Sequence, residues 1–409
     1  MTQIKLPAGW TFAALLAGLA FGWALSGGPA EALAAALAGP VGTVWLRALQ
    51  MTIVPLVAAL LVTGIAQMIA TARAGPVARR ALALIFAILA AGTVLAAFAM
   101  PALLEAFPIP GRAAEALAAG SAEPQPVPGI GAFFESLVAD NVIAAAAQTA
   151  MLPLVVFFVA LAVAIARLPE VQRDLMLRLF EAWGNAMLTI IGWVLWIAPV
   201  GVFALAVTVG IASGGGAFAA LAHYILLVVG LGLVVMIAGY VLGSWGARRG
   251  PLQFARAMIP AQAVAISTQS SLASLPAMLQ SCRLLGVRET TADFVLPLAV
   301  AIFRTTSPAM NLGVAIYVAH LTGVELTPAT LAAGVGVALV TTIGSVSLPG
   351  TISFIASIGP IAIAMGVPVE PLALLVAVEM LPDVMRTLGN VTMDVAVTAT
   401  VDRHTESSD

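Results

Sequence analysis

Long apolar runs separated by short polar stretches dominate the chain. Charge-free hydrophobic segments cover residues 10–27, 48–70, 81–104, 142–166, 185–211 and 219–246. Two more, 294–321 and 371–401, carry one arginine and four charges respectively within an otherwise apolar helical pattern. About 20 apolar residues match the thickness of a bilayer's hydrocarbon core, so the pattern predicts eight membrane spans. Residues 168–183 mix charges with Leu and Phe at helical spacing and predict a surface helix running into the fifth span. Two further stretches, about 253–282 and 328–367, are apolar but interrupted near their middles. The interruptions are Ser270-Ser271-Leu272-Ala273-Ser274-Leu275-Pro276 and Gly344-Ser345-Val346-Ser347-Leu348-Pro349-Gly350. A break at membrane depth frees backbone N–H and C=O groups, which is tolerated only where protein or water surrounds them. Helical hairpins that enter and leave on one side fit both stretches.

Composition sharpens this picture. The 409 residues are 61% hydrophobic and 9% charged, against about 25% charged in a soluble domain, which excludes a water-soluble globule. Seventeen Lys plus Arg against 19 Asp plus Glu give a net charge of -2, so no basic excess invites nucleic acid. The expected surroundings are membrane lipid. Cys282 is the single cysteine, and His223, His320 and His404 are scattered, which removes disulfide frameworks and metal-ligand spacings. Lys5, Arg73, Arg79, Arg80, Arg167, Arg173, Arg178, Arg248, Arg249, Arg256, Arg283 and Arg288 fall on one side if eight spans start inside. That side, with both chain ends, is expected to be the cytoplasmic face of a bacterial-type inner membrane. The run after Lys5 imitates a secretory signal, but it is long and lacks an A-x-A site directly after it, so a retained first span is expected. Under this count the first hairpin opens inward and the second outward. Two hairpin-plus-span units are then inverted copies, an arrangement in which transporters place substrate near the midplane.

Five ionisable residues lie inside apolar segments: Arg304, Glu379, Asp383, Arg386 and Asp394. Each is costly in lipid and should face a bundle interior or water. With Glu379 at zero, Asp383 falls at about 40°, Arg386 at about -20°, Asn390 at about 20° and Asp394 at about 60° around a helix. One polar stripe results, readable either as helix-packing ion pairs or as a ligand site. Two arginines against three carboxylates leave a charge of -1, which one cation or proton would balance. A guanidinium such as that of Arg386 binds carboxylates in a bidentate manner. Asp383, one turn earlier, suits an amino group, so together they suit a zwitterion with an extra carboxylate. The hairpin tips offer Ser267, Thr268, Ser270, Ser271 and Ser274, and then Ser345, Ser347, Gly350 and Thr351. These breaks are either plain kinks or helix N-termini aimed at an anion.

The run 270–276, Leu348-Pro349-Gly350, and above all Asp383-Val384-Met385-Arg386-Thr387-Leu388-Gly389-Asn390-Val391-Thr392-Met393-Asp394 resemble the dicarboxylate/amino acid:cation symporters, the glutamate-transporter family. Met51-Thr52-Ile53-Val54-Pro55, Met151-Leu152-Pro153 with Phe157-Phe158, and the stretch 198–205 extend the resemblance over nearly the whole chain. It implies an all-α polytopic membrane protein: eight transmembrane helices plus two re-entrant helical hairpins in an inverted-repeat, elevator-type transporter fold, assembled as a homotrimer. Residues 1–409 would form a single transporter domain, with a scaffold part mainly at 1–80 and 142–215. The transport part would lie mainly at 81–104 and 219–402. The resemblance makes Arg386 the ligand of the substrate's side-chain carboxylate and Asp383 that of its amino group. Thr387 and Asn390 would add polar contacts, and Ser270, Ser271, Ser345, Pro349 and Gly350 a carboxylate cradle at the hairpin tips. Asn390 and Asp394 resemble sodium ligands, and Na+ or H+ is the coupling ion it implies, with no other cofactor.

Departures from the family pattern fall on the cations. Where the family has Asn-Met-Asp in the seventh span, this chain has Phe303-Arg304-Thr305, and Ala301 and Leu272 replace a Thr and a Ser. The third span shows Leu84-Ile85-Phe86-Ala87-Ile88-Leu89-Ala90-Ala91 in place of Tyr, Thr and Ser. Arg304 is therefore read as a tethered substitute for a bound cation, paired with Asp394 or a neighbouring carboxylate. Proton coupling through Glu379 or Asp394, sodium coupling, and exchange remain alternatives. The expected function is symport of an acidic amino acid or C4-dicarboxylate. A non-transporting sensor on the same fold or an uncoupled exchanger is the alternative. No Ser-His-Asp set, Cys-His pair or metal cluster in the spans favours an enzyme.

Overall fold

Glycine, proline and one asparagine mark the helix boundaries in the computed structural model, which describes residues 8–72, 75–110, 135, 137–213, 216–344 and 350–406. Among the described residues the regular structure is helical, without strands. The first helices are α1 (Ala8–Leu25), α2 (Glu31–Gln50), α3 (Ile53–Ala72) and α4 (Pro76–Ala106). After them come α5 (Val142–Ala147), α6 (Met151–Ile165), α7 (Glu170–Trp196), α8 (Ala198–Ser213) and α9 (Gly216–Val241), the last ending in a π-helical turn at Leu242–Gly246. The remainder comprises α10 (Pro251–Thr268), α11 (Leu275–Leu284), α12 (Glu289–Ile302), α13 (Thr306–Thr322), α14 (Pro328–Gly344), α15 (Gly350–Ala364), α16 (Glu370–Leu375) and α17 (Met380–Glu406). Pro76 and Pro251 occupy first turns, where a missing N–H costs nothing. Asn141 Oδ1 caps α5 by accepting from the Ile143 and Ala144 amides. Gly323, at φ 72°, closes α13 in the left-handed conformation.

Four helical stretches are long and apolar enough to cross a membrane: Glu31–Ala72, Pro76–Ala106, Glu170–Trp196 and Gly216–Gly246. Six of the seven tryptophans stand exposed, and only Trp45 is buried. A surface of this kind is stable in lipid and not in water, so the protein is a polytopic integral membrane protein.

The helix pattern departs from the apolar runs at three places. The fifth run is split at Ile197, where α7 meets α8, although α7 does carry the amphipathic stretch from Glu170 straight into the apolar part as expected. The run 294–321 breaks at Phe303-Arg304-Thr305, with Phe303 in extended conformation. In the run 371–401, a tight bridge at 376–379, held by i to i+3 bonds, separates α16 from α17.

Packing begins with α1 on α8, where Gly18, Gly22 and Gly210 sit so close to the facing helix that a Cβ on any of them would strike its main chain. Small residues let membrane helices approach this way. Trp45 of α2 lies over Gly201 and donates its Nε1–H to the Val194 carbonyl at 2.9 Å. α3 packs on α6 and α7 and also meets α14 and α15. On the other side α17 is surrounded by α9, α10, α12 and α13, and α4 lies along α13. The interrupted stretches each fold as two helices packed on each other, α10 with α11 and α14 with α15.

Candidate functional site

The bridge at 376–379 delivers Glu379 to the head of α17, where its carbonyl accepts the Asp383 N–H at 2.8 Å and starts the helical ladder. Asp383, Arg386 and Asn390 then follow on one face at helical spacing, and all four side chains are buried. The predicted stripe is thus formed, although its first member precedes the regular helix. Facing it is the head of α13, where Thr306 to Ala319 are buried throughout.

Arg386 is the hub. Its Nη2 donates to Glu379 Oε1 and its Nη1 to Asn311 Oδ1, both at 2.7 Å. Nε lies 3.8 Å from Asp383 Oδ1. A guanidinium carries five N–H donors in a planar fork, and the two short bonds already engage both of its terminal nitrogens. The charge of Arg304, in the break between α12 and α13, is felt by Asp383.

Several neighbours are engaged in holding the helices. Thr306 donates its N–H and hydroxyl to Asn390 Oδ1, and the Thr387 hydroxyl donates back to the Asp383 carbonyl at 2.9 Å. Asp394 has no solvent exposure, and among the described residues neither of its side-chain oxygens has a hydrogen-bond partner. A buried carboxylate in that condition suits a proton or a small cation. No group of three or more His, Cys, Asp or Glu able to hold a metal ion occurs among the described residues.

At the first tip, Gln269 turns the chain at φ 49°, the Ser270 hydroxyl accepts the Ala273 N–H at 3.2 Å, and the Ser274 hydroxyl donates to the Ser270 carbonyl at 2.8 Å. Ser270 and Ser271 are half-buried, and no hydrogen bond joins either to Arg386. Gly350 opens α15. Ser345 and Pro349 lie outside the described residues. Three participants escaped the sequence reading: Thr306, Asn311, and Tyr224 on α9. Asn311 is a lone amide in the run 294–321, and that was the available signal.

Over residues 8–404 the chain matches the sodium:dicarboxylate symporter family. It is 29% identical over 265 residues to the proton/glutamate-aspartate symporter of Escherichia coli, an alignment covering 63% of this chain and 58% of that protein. To the neutral amino acid transporter B(0) of Oryctolagus cuniculus it is 28% identical over 435 aligned positions, covering 94% and 77%. To the human neutral amino acid transporter A it is 27% identical over 256 residues, covering 60% and 46%. The matched stretch thus spans little more than half of the bacterial relative and less than half of the human one. With the family matched from α1 to the end of α17, the chain belongs to the sodium:dicarboxylate symporter family, a family of transporters and not of enzymes.

Proposed function

We propose that the protein is a secondary active symporter for an acidic amino acid or C4-dicarboxylate, with aspartate and glutamate preferred. The observation that carries this reading is Arg386, a guanidinium buried in an apolar helix with Asp383 beside it. A buried guanidinium is kept where anions can meet it, and its planar fork suits a carboxylate in particular. A neutral side chain would bring no anion, whereas an acidic amino acid brings a carboxylate for Arg386 and an amino group for Asp383. The bacterial relative's name points the same way. Ser270, Ser271, Ser345, Pro349 and Gly350 at the hairpin tips would close over the substrate backbone, and Thr387 and Asn390 would line it.

Eight spans with two re-entrant hairpins account for the paired helices α10–α11 and α14–α15 and for the polar breaks inside apolar runs. In this reading the body containing α1–α3 and α5–α8 is the scaffold. The hairpins, α4, α9, α12, α13 and α17 move past it as an elevator, in a homotrimer in a bacterial-type inner membrane with both chain ends cytoplasmic. Exposed apolar side chains such as Leu33, Leu37 and Val44 on α2 are available for lipid or a neighbouring protomer.

Coupling is altered. Arg304 supplies a fixed positive charge beside Asp383, in the segment where the family pattern carries sodium ligands, so fewer mobile cations are required. A single proton on Glu379 or Asp394, or a single sodium ion at Asp394 and Asn390, completes the balance, with the proton preferred. Aspartate uptake into sodium-free proteoliposomes under an inward proton gradient tests this, and uptake that strictly requires sodium would sink it. Binding without any flux would favour the sensor.

A further inference from the structure

The Arg386–Glu379 pair poses a problem for any acidic ligand. Both terminal nitrogens of the guanidinium already hold an internal acceptor, and one of these is a carboxylate at 2.7 Å. As a fastening this pair is poorly chosen, because a buried ion pair is often no more stabilising than apolar packing of the same volume. Around it lie three buried polar atoms without a hydrogen-bond partner among the described residues: Glu379 Oε2, Asn311 Nδ2 and Tyr224 Oη. They comprise an acceptor, a donor, and a hydroxyl that can do either. The Asn311 amide is anchored to Arg386 through its other atom, and Tyr224 is close enough for its hydroxyl to feel both charges of the pair. The Tyr224 ring packs edge-on against Tyr317, with centroids 5.3 Å apart, and Tyr317 directs its own hydroxyl to the Ala220 carbonyl and His223. Packing therefore explains the ring of Tyr224 and leaves its hydroxyl without a task.

We propose that Glu379 is a built-in rival of the substrate carboxylate for Arg386, and that Tyr224 and Asn311 form the seat that receives it when substrate takes its place. This rests on the reading of Arg386 as the substrate's anion site. Without substrate, the Glu379 carboxylate occupies the fork and the buried pair is neutral. An arriving carboxylate displaces it, Oε2 and its fellow oxygen turn toward the Tyr224 hydroxyl and the Asn311 amide, and the pocket carries one negative charge too many. A proton on Glu379 is the smallest cation that restores neutrality, so entry of the anion and uptake of the proton become a single event. The charged and titratable groups bearing on Glu379 are Arg386 and Asp383 on α17 and Tyr224 on α9, with Tyr317 of α13 behind Tyr224 and Arg304 bearing on Asp383.

Calorimetric binding of L-aspartate to the purified full chain at several pH values tests the rivalry. Wild type is expected to bind more tightly as pH falls, by up to about tenfold per pH unit. Glu379→Gln removes the charged rival and is expected to bind about tenfold tighter, with the pH dependence lost. Tyr224→Phe is expected to weaken wild-type binding about threefold, yet to change nothing in the Glu379→Gln background. Should Glu379→Gln not fold, Glu379→Asp keeps the charge on a shorter arm, and tighter binding supports the rivalry. Unchanged or weaker binding in whichever of these two variants folds overturns it. Arg386→Ala separates the two readings: loss of aspartate binding there keeps the anion site standing even if the rivalry falls, and wild-type binding there overturns both.

Discussion

Thr306 gives its backbone N–H and its hydroxyl to one atom, Asn390 Oδ1, at 3.0 and 2.9 Å, with the Arg386 carbonyl a second acceptor 3.1 Å from the hydroxyl. The head of α13 has lost its helical continuity with α12, and this fork ties its first amide to α17. Gly389 makes the approach possible, since a Cβ there would collide with the Thr306 methyl group.

Asn390→Ala is therefore expected to destabilise the protein by about 2–4 kcal/mol, because it leaves the buried Thr306 N–H without its acceptor and the hydroxyl with the Arg386 carbonyl alone. Thr306→Val keeps the amide bond and should cost about 1–2 kcal/mol. Thermal unfolding of the detergent-solubilised variants measures both, and equal losses would contradict the amide's share.

Arg386→Lys should fail to restore acidic-substrate binding. Lysine keeps the charge but loses the planar fork that reaches Asn311, Glu379 and a carboxylate together. A drop of about 100-fold in aspartate affinity, equivalent to about 2.7 kcal/mol, is expected by calorimetry, with the folded state retained.

Asp394→Asn should stabilise the protein in sodium-free buffer by about 1–3 kcal/mol, since it replaces a buried carboxylate without partners by a neutral group of the same shape. Any rise in unfolding temperature that sodium gives to the wild type should vanish in this variant, because a ligand stabilises only what it binds. A sodium-induced shift that survives the substitution would remove Asp394 from the cation site.

Gly22→Leu should lower stability by about 1–3 kcal/mol through overpacking, because the new side chain would press against the Val207 and Ile211 main chain, which cannot give way as a side chain can. The unfolding midpoint measures it. Val171→Ala, at an exposed position at the start of α7, is the control expected to stay within about 0.5 kcal/mol.

Much of the helix inventory and the stripe on α17 were readable from the residues because desolvation leaves few reasons for Glu379, Asp383, Arg386 and Asp394 to sit in an apolar run. That each interrupted stretch would fold as two helices was readable for the same reason, through backbone groups that lipid cannot satisfy. Breaks at Ile197, at 303–305 and at 376–379 were not, since hydropathy averages over a window longer than the break itself. Thr306, Asn311 and Tyr224 went unnoticed because their meaning lies in partners 75 or more residues away, as with Asn311 and Arg386. Arg304 stands out in the sequence as a lone charge in an apolar run, whereas its bearing on Asp383 depends on how the break between α12 and α13 faces α17.

The glycine seam between α1 and α8 has a consequence for measuring motion. Where Gly18, Gly22 and Gly210 seat the two backbones on each other, little side-chain matter lies between them to shear, so the pair is expected to behave as one stiff beam. Probes placed across that beam should report a constant separation whatever state the protein occupies, while a probe on the beam paired with one on α17 reads any stroke in full. The seam is a natural fiducial mark against which the displacement proposed for the arginine-bearing helix can be timed.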